Sequence, residues 1–474
     1  MQSTKPHFAL LATPGMGHLI PFLELANRLV THLTAKVTVF VVSGDHASIS
    51  NSKLLKSPHP DLLDVVLLPP VDISNLPSDA SVTLKVVVMM LESLPFVRSE
   101  IANMEFRPTA LVVDMFGTDA LGIADEFNML KFTFIASNAW FFSVILYSSF
   151  IDRKEITEEH MKNHKPLKIP GCKSVEFQDT LEVFEMDPND PLFEPYFELG
   201  VRMASTDGIL VNSWDELEPI TLKALKEDKK VPIYPIGPIV RPIDQQPGLG
   251  HDRVLNWLDK QPNGSVIYVS FGSGGTLSAQ HVIELAWGLD HSQQRFVWVV
   301  RPPTENDASG SFFTAGNGSD GTPDYVPDGF FTRTQDRGLV VPMWAPQVEV
   351  LSHPSIGGFL THGGWNSVME SIVNGVPMIA WPLYAEQKMN AAMLTEEIGA
   401  SIRAKAAEVV GREEIESMVR RILVDKEGEP IRNRVKELKN SATKALSKGG
   451  CSSNSLSQVG EICIQHLKTK AYGA

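Results

Sequence analysis

The chain has 474 residues and a net charge of −14 at neutral pH. At roughly 150 residues per domain that length suggests about three domains, or two large ones, and 43% apolar with 21% charged residues excludes fibrous, collagenous and wholly disordered classes. The acidic balance argues against gripping a nucleic-acid backbone, and three scattered cysteines (Cys172, Cys451, Cys463) support neither a disulfide framework nor a zinc cluster.

At the N-terminus the apolar stretch 8–12 is stopped by Pro14, Gly15 and Gly17 without a cleavage-site pattern, so it reads as a first strand and not as a signal segment. A helix follows over 19–32, with Leu19, Phe22, Leu23, Ala26, Leu29 and Val30 on one face. Further strands are expected at 36–42, 64–69, 110–114, 131–137 and 208–212. Runs such as Val37-Thr38-Val39-Phe40-Val41-Val42 suit a parallel sheet covered on both faces. The longest apolar run, 139–150, is too short to span a bilayer and is broken by serines. Together these features predict a soluble protein of a reducing, cytoplasmic compartment, with the sequons at Asn263 and Asn317 unused.

Proline and glycine are dense at 235–242 and again at 246–250, which marks an interdomain linker. The strand–helix alternation then restarts, with strands expected at 265–270, 296–300, 339–343, 357–362 and 376–382. A Gly/Ser/Asn/Asp/Pro-rich loop is expected over 302–328, and charged helix over 412–446. No solenoid repeat is present. The fold class is therefore α/β, two doubly wound Rossmann-like parallel-sheet domains. The first spans 1–240, a linker 241–252, the second 253–450, and a C-terminal helix 451–474 is free to return to the first.

Open parallel sheets bind ligands outside the carboxyl ends of their strands, so polar residues just past strands are the candidates. His18 follows the first strand across Pro14-Gly15-Met16-Gly17, and Asp114 closes the strand at 110–113. A carboxylate on one ring nitrogen would fix the imidazole tautomer and leave the other nitrogen basic. Taken alone, the pair also reads as a helix-start residue and a strand-end cap. In the second half, 265–275 runs a strand into a Gly-rich turn suited to phosphate. Trp344, Ala345 and Gln347 offer a stacking face and an amide edge. The segment Thr361-His362-Gly363-Gly364-Trp365-Asn366-Ser367 ends a strand at His362 and opens a helix whose free amides attract an anion. Glu370 lies one turn beyond Asn366, placed to accept from vicinal hydroxyls, and Glu386-Gln387 has the donor and acceptor mix that sugars need.

Trp344 to Gln387, reading Trp-Ala-Pro-Gln-Val-Glu-Val-Leu-Ser-His-Pro…Thr-His-Gly-Gly-Trp-Asn-Ser…Glu-Ser…Asn-Gly-Val-Pro…Trp-Pro…Glu-Gln, resembles the 44-residue signature of plant secondary-product UDP-glycosyltransferases of family 1. Pro-Gly-Met-Gly-His-Leu-Ile-Pro and Val-Val-Asp-Met-Phe-Gly are similar to the same family, within which the chain is most similar to the hydroquinone and monolignol glucosyltransferase branch. The resemblance implies a GT-B fold, two domains facing across a cleft. It implies that Trp344 stacks on uracil, that Ala345 and Gln347 hydrogen-bond it, and that Glu370 holds the ribose. It places Ser273, His362, Asn366 and Ser367 at the diphosphate and Trp365, Glu386 and Gln387 at the hexose, with His18 as base and Asp114 as its partner. Gly363 replaces a frequent Cys. The implied activity is that of an inverting hexosyltransferase, moving glucose from UDP-glucose to a small phenolic or phenylpropanoid hydroxyl as a β-glucoside. No cofactor, metal, nucleic acid or membrane insertion is called for, no Asp-x-Asp pair occurs, and a monomer is the default.

Alternatives remain. The same fold and base could glycosylate a phenolic ring carbon. Gly15-Met-Gly17 after a strand suggests a nicotinamide dehydrogenase, but position 20 is Ile and the second strand ends in Val42-Ser43, although Asp45 lies close by. A non-catalytic sugar-nucleotide sensor would lack any use for the His18–Asp114 pair. Lipid glycosylation lacks a basic amphipathic helix.

Overall fold

The computed structural model describes residues 5–43, 55, 59–77, 80–243, 251–304, 325–405 and 409–472. Most of the expected linker (244–250), most of the expected loop (305–324), Asp45 and Asn317 lie outside the described residues. Two compact units emerge: Met1–Ser174 with Val183–Ile239 and Lys444–Ala474, and Val175–Glu182 with Val240–Thr443.

The first unit holds a seven-stranded sheet of β1 (His7–Ala12), β2 (Lys36–Val41), β3 (Leu63–Leu67), β4 (Ala110–Val113), β5 (Leu130–Ile135), β6 (Gly208–Val211) and β7 (Ile233–Pro235). All neighbours are parallel, in the order β3-β2-β1-β4-β5-β6-β7. Because β1 is buried at every residue, it carries apolar side chains on both faces, as a doubly covered strand must. Helix α1 (Met16–Leu33) lays Phe22, Leu25, Ala26 and Leu29 on one face of the sheet, Phe22 meeting Phe134 edge-to-face at 5.3 Å. Helix α2 (Val82–Asn103) is capped by Ser81, whose Oγ accepts from Leu84 N. The last helix, Cys451–Tyr472, adds Leu456, Val459 and Cys463 to the same core, and Ser452 Oγ donates to Gly237 O at 2.5 Å. Burying Leu456 and Val459 alone contributes about 1.5–3 kcal/mol apiece.

The second unit repeats the plan with β8 (Val266–Ser270), β9 (Arg295–Val300), β10 (Gly338–Pro342), β11 (Ile356–Thr361), β12 (Met378–Ala380) and β13 (Ser401–Arg403), ordered β10-β9-β8-β11-β12-β13 and parallel throughout. Strand order reverses between β1 and β4 in one sheet and between β8 and β11 in the other, the position where such sheets take ligands.

Element ends differ from the sequence expectations for local reasons. Asp114 leaves the ladder because its carboxylate caps the following 3₁₀ turn. The strand expected at 376–382 shrinks to Met378–Ala380, since Pro377 and Pro382 have no N–H to donate. The helix expected at 19–32 begins at Met16, and the charged stretch splits into Arg412–Leu423 and Glu429–Leu446. The short strands β7 and β13 were not anticipated. Among the described residues no helix is long and apolar enough to cross a membrane.

Candidate active site

In the first unit the register Leu11↔Val113 aligns the ends of β1 and β4, so the residues just beyond them meet. Asp114 is buried there and gathers four donors. Its Oδ1 accepts from Thr13 Oγ1 at 2.7 Å, Phe116 N at 3.0 Å and Gly117 N at 3.2 Å, and its Oδ2 accepts from His18 Nδ1 at 2.9 Å. Since an ionised carboxylate only accepts, this assigns the His18 proton to Nδ1 and the basic lone pair to Nε2. His18 lies in the first turn of α1, reached through Gly15 at φ +103°, and its side chain is 26% exposed. The Phe116 ring stands edge-on to the imidazole at 5.6 Å and limits its swing. Thr13 is a participant that sequence reasoning missed. Its one available signal was its place just past β1, beside the end of β4.

In the second unit the residues past β8, β10, β11 and β12 lie along one sheet edge. After β8 the chain turns through Phe271–Gly275, with Ser273 partly buried at its centre. After β11 comes His362, 8% exposed, whose ring is enclosed by glycine on two sides. A Cβ on Gly272 would lie 2.5 Å from His362 Cε1, and one on Gly364 would lie 2.5 Å from its Nε2. Burial first, and then the Arg301 guanidinium, lower the His362 pKa to about 4, so the ring is neutral near pH 7. Helix α3 (Trp365–Asn374) starts beside it. Its N-cap is Gly364 and no side chain caps it, and a helix N-terminus of this kind attracts an anion. Because Gly272 has φ +75° and no room for a methyl, Gly272→Ala is expected to cost about 1–3 kcal/mol in chemical denaturation. Wild-type stability would show that the ring yields freely.

Gln347, Ser367 and Glu370 are joined: Gln347 Nε2 donates to Ser367 Oγ at 2.9 Å and to Glu370 Oε2 at 2.7 Å. Glu370 is partly buried. Desolvation, assisted by the Glu349 charge, outweighs the Gln347 bond and the Arg241 charge and pushes its carboxyl up from 4.5 to about 7. A raised acid pKa means the folded state keeps a proton that the unfolded state releases. Its stabilising contribution is complete below about pH 4.5 and is lost as pH rises through 7. Glu370→Gln is expected to gain melting temperature relative to wild type progressively from pH 5 to pH 8. A gap independent of pH would contradict this.

Trp344 follows β10 through Met343, held at φ +64°, and is 59% exposed, an indole face offered to solvent, while Ala345 beside it is buried. Trp365 is only 3% exposed and Asn366 is partly buried. Past β12, Gln387 is 3% exposed and its Oε1 accepts from Leu383 N at 2.9 Å and Tyr384 N at 3.1 Å. Its carbonyl is thus committed to the turn, and what remains for a ligand is the Nε2 donor. Glu386 occupies the N-cap position of the helix Gln387–Met393 without a side-chain cap, and Asn390 Nδ2 donates to Gly363 O at 2.9 Å and to Glu386 Oε1 at 3.4 Å. Asn390, wholly buried, ties the β11 and β12 ends together and was also missed. Its place one turn past Glu386 was the only hint.

The His18–Asp114 pair lies in the first unit, and the remaining eleven candidates (Ser273, Trp344, Ala345, Gln347, His362, Trp365, Asn366, Ser367, Glu370, Glu386 and Gln387) lie in the second. Residues 253–429 match the family described as UDP-glucoronosyl and UDP-glucosyl transferase. UDP-glycosyltransferase 72E1 of Arabidopsis thaliana is 50% identical over the whole of both chains. Hydroquinone glucosyltransferase of Rauvolfia serpentina is 43% identical, over 96% of this chain and 97% of its own. Among solved structures, TcCGT1 in complex with UDP superposes with a TM-score of 0.88 at 44% identity, covering 98% of this chain and 100% of that one.

Proposed function

Because the chain belongs to the plant family 1 UDP-glycosyltransferases, enzymes that take a UDP-sugar as donor, we propose that it transfers glucose from UDP-glucose to the hydroxyl of a small phenolic or phenylpropanoid acceptor, with inversion to the β-glucoside. The observation that carries this reading is the 2.9 Å hydrogen bond from His18 Nδ1 to buried Asp114, at the point where the first sheet's strand order reverses. His18 Nε2 takes the acceptor proton as the oxygen attacks the anomeric carbon on the face opposite UDP, and Asp114 stabilises the imidazolium. The departing diphosphate gains negative charge, which the N-terminus of α3 and the side chains of Ser273, His362, Asn366 and Ser367 receive. Exposed Trp344 stacks on the uracil, with Ala345 and Gln347 at its edge and Glu370 on the ribose. Gln387 Nε2, Glu386 and Trp365 address the hexose. None of the three cysteines is in a disulfide, which fits a cytoplasmic setting, and a monomer suffices for this chemistry.

Incubating the protein with UDP-glucose and a panel of phenols, followed by mass spectrometry, tests the reading. It predicts hexose adducts that mild acid releases. Acid-stable adducts would move the bond to ring carbon, and no adduct with any phenol would overturn the proposal.

A further inference from the structure

Arg301 follows β9 immediately, at the same sheet edge as the Phe271–Gly275 turn. Its Nη1 donates to Gly272 O at 2.5 Å and to Gly275 O at 3.0 Å, so a single guanidinium nitrogen bridges the turn on either side of Ser273. Its Nε is shielded from water and has no partner among the described residues. Arg432 of this unit likewise donates to backbone carbonyls, Ile422 O at 2.9 Å and Asp425 O at 3.0 Å, but four other arginines are held by carboxylates. Arg333 and Arg337 each reach Asp290 at 2.6 Å, Arg403 reaches Asp179 at 2.5 Å, and Arg412 is bound by Glu284. Among the described residues no carboxylate pairs with Arg301. Among the described residues the titratable groups facing it are the hydroxyls of Tyr268 and Tyr384, which burial keeps protonated, and the neutral ring of His362. A cation withdrawn from water without a counter-charge is costly to keep, and it becomes favourable when an anion arrives beside it. It also turns two carbonyl oxygens toward itself, oxygens that would otherwise repel an anion.

We propose that Arg301 is the fixed positive charge of the diphosphate site, a positioning residue that holds the Gly272 and Gly275 carbonyls on its own side and leaves the turn around Ser273 fit for phosphate. This rests on the UDP-sugar reading of the second unit and extends it to a residue outside the signature stretch. The arrangement predicts a selective effect. Arg301 should matter to the charged part of the nucleotide and be indifferent to the nucleoside.

Isothermal titration of wild type, R301M and R301K with uridine and with UDP tests this, with the KM for donor and for acceptor measured in parallel. R301M should bind UDP about 10- to 100-fold more weakly, bind uridine as wild type does, and raise the donor KM while leaving the acceptor KM alone. R301K, which keeps the charge but loses the fork, should recover most of the preference for UDP over uridine. Should R301M fail to fold by circular dichroism, R301Q supplies the neutral side chain for the same comparison. Unchanged UDP affinity, or an equal loss for uridine and UDP, would overturn the proposal. Failure of wild type to bind UDP would instead overturn the reading beneath it.

Discussion

His18→Ala is expected to lower turnover of weakly acidic alcohol acceptors by about 10²- to 10⁴-fold, the usual worth of a positioned general base. Acidic phenols should suffer less, because a fraction of each is already ionised and needs no proton acceptor. The reason lies in the hydrogen bond from His18 Nδ1 to Asp114, which leaves the lone pair on Nε2, in a side chain that keeps 26% of its surface exposed while its partner is buried. Initial rates over acceptors graded by hydroxyl pKa would show the dependence steepening in the variant. Equal losses for alcohols and acidic phenols would argue against a base role.

Asp114→Asn is expected to come close to the same loss, for a reason that the donor count makes specific. Four donors converge on Asp114: Thr13 Oγ1, Phe116 N, Gly117 N and His18 Nδ1. An asparagine has one oxygen. Facing Thr13 and the two amides, that oxygen leaves the –NH₂ against His18, which forces Nδ1 to accept and moves the ring proton to Nε2, the wrong tautomer for a base. Flipped, the amide would set its –NH₂ against the Phe116 and Gly117 amides and leave both unsatisfied, since of the three only the Thr13 hydroxyl can turn to accept. Turnover should fall about 10²- to 10⁴-fold, and stability by about 1–3 kcal/mol from the buried mismatch. Since the two residues act as one unit, the His18→Ala/Asp114→Asn double variant should be no slower than His18→Ala alone. Multiplying losses would show that they act separately.

Much of this arrangement was legible in the chain. The apolar, β-branched runs are buried on both sheet faces, which is why β1, β2, β4, β8 and β11 declare themselves without an alternating pattern. The polar residues at their carboxyl ends stand out against those runs. What the chain alone withheld was adjacency. That β4 lies beside β1, so that Asp114 reaches His18 from 96 positions away in the chain, is a property of strand order. The same holds for Arg301 and Asn390. An arginine after a strand and an asparagine in a helix ordinarily face water, and only folded neighbours reveal that one bridges Gly272 and Gly275 and the other ties Gly363 to Glu386. The three-residue strands β7 and β13 are too short to carry a period. Gln387 was legible as a polar residue in the right place, but not that its carbonyl oxygen is already committed to the Leu383 and Tyr384 amides.

The central claim, a single displacement at the anomeric carbon driven by a base on the first unit, is tested most directly by proton NMR of the product formed from UDP-glucose and a simple phenol, recorded before any anomeric equilibration. The β-glucoside should be the sole glycoside formed. An α-glucoside, or free glucose and UDP with no glycoside, would contradict it.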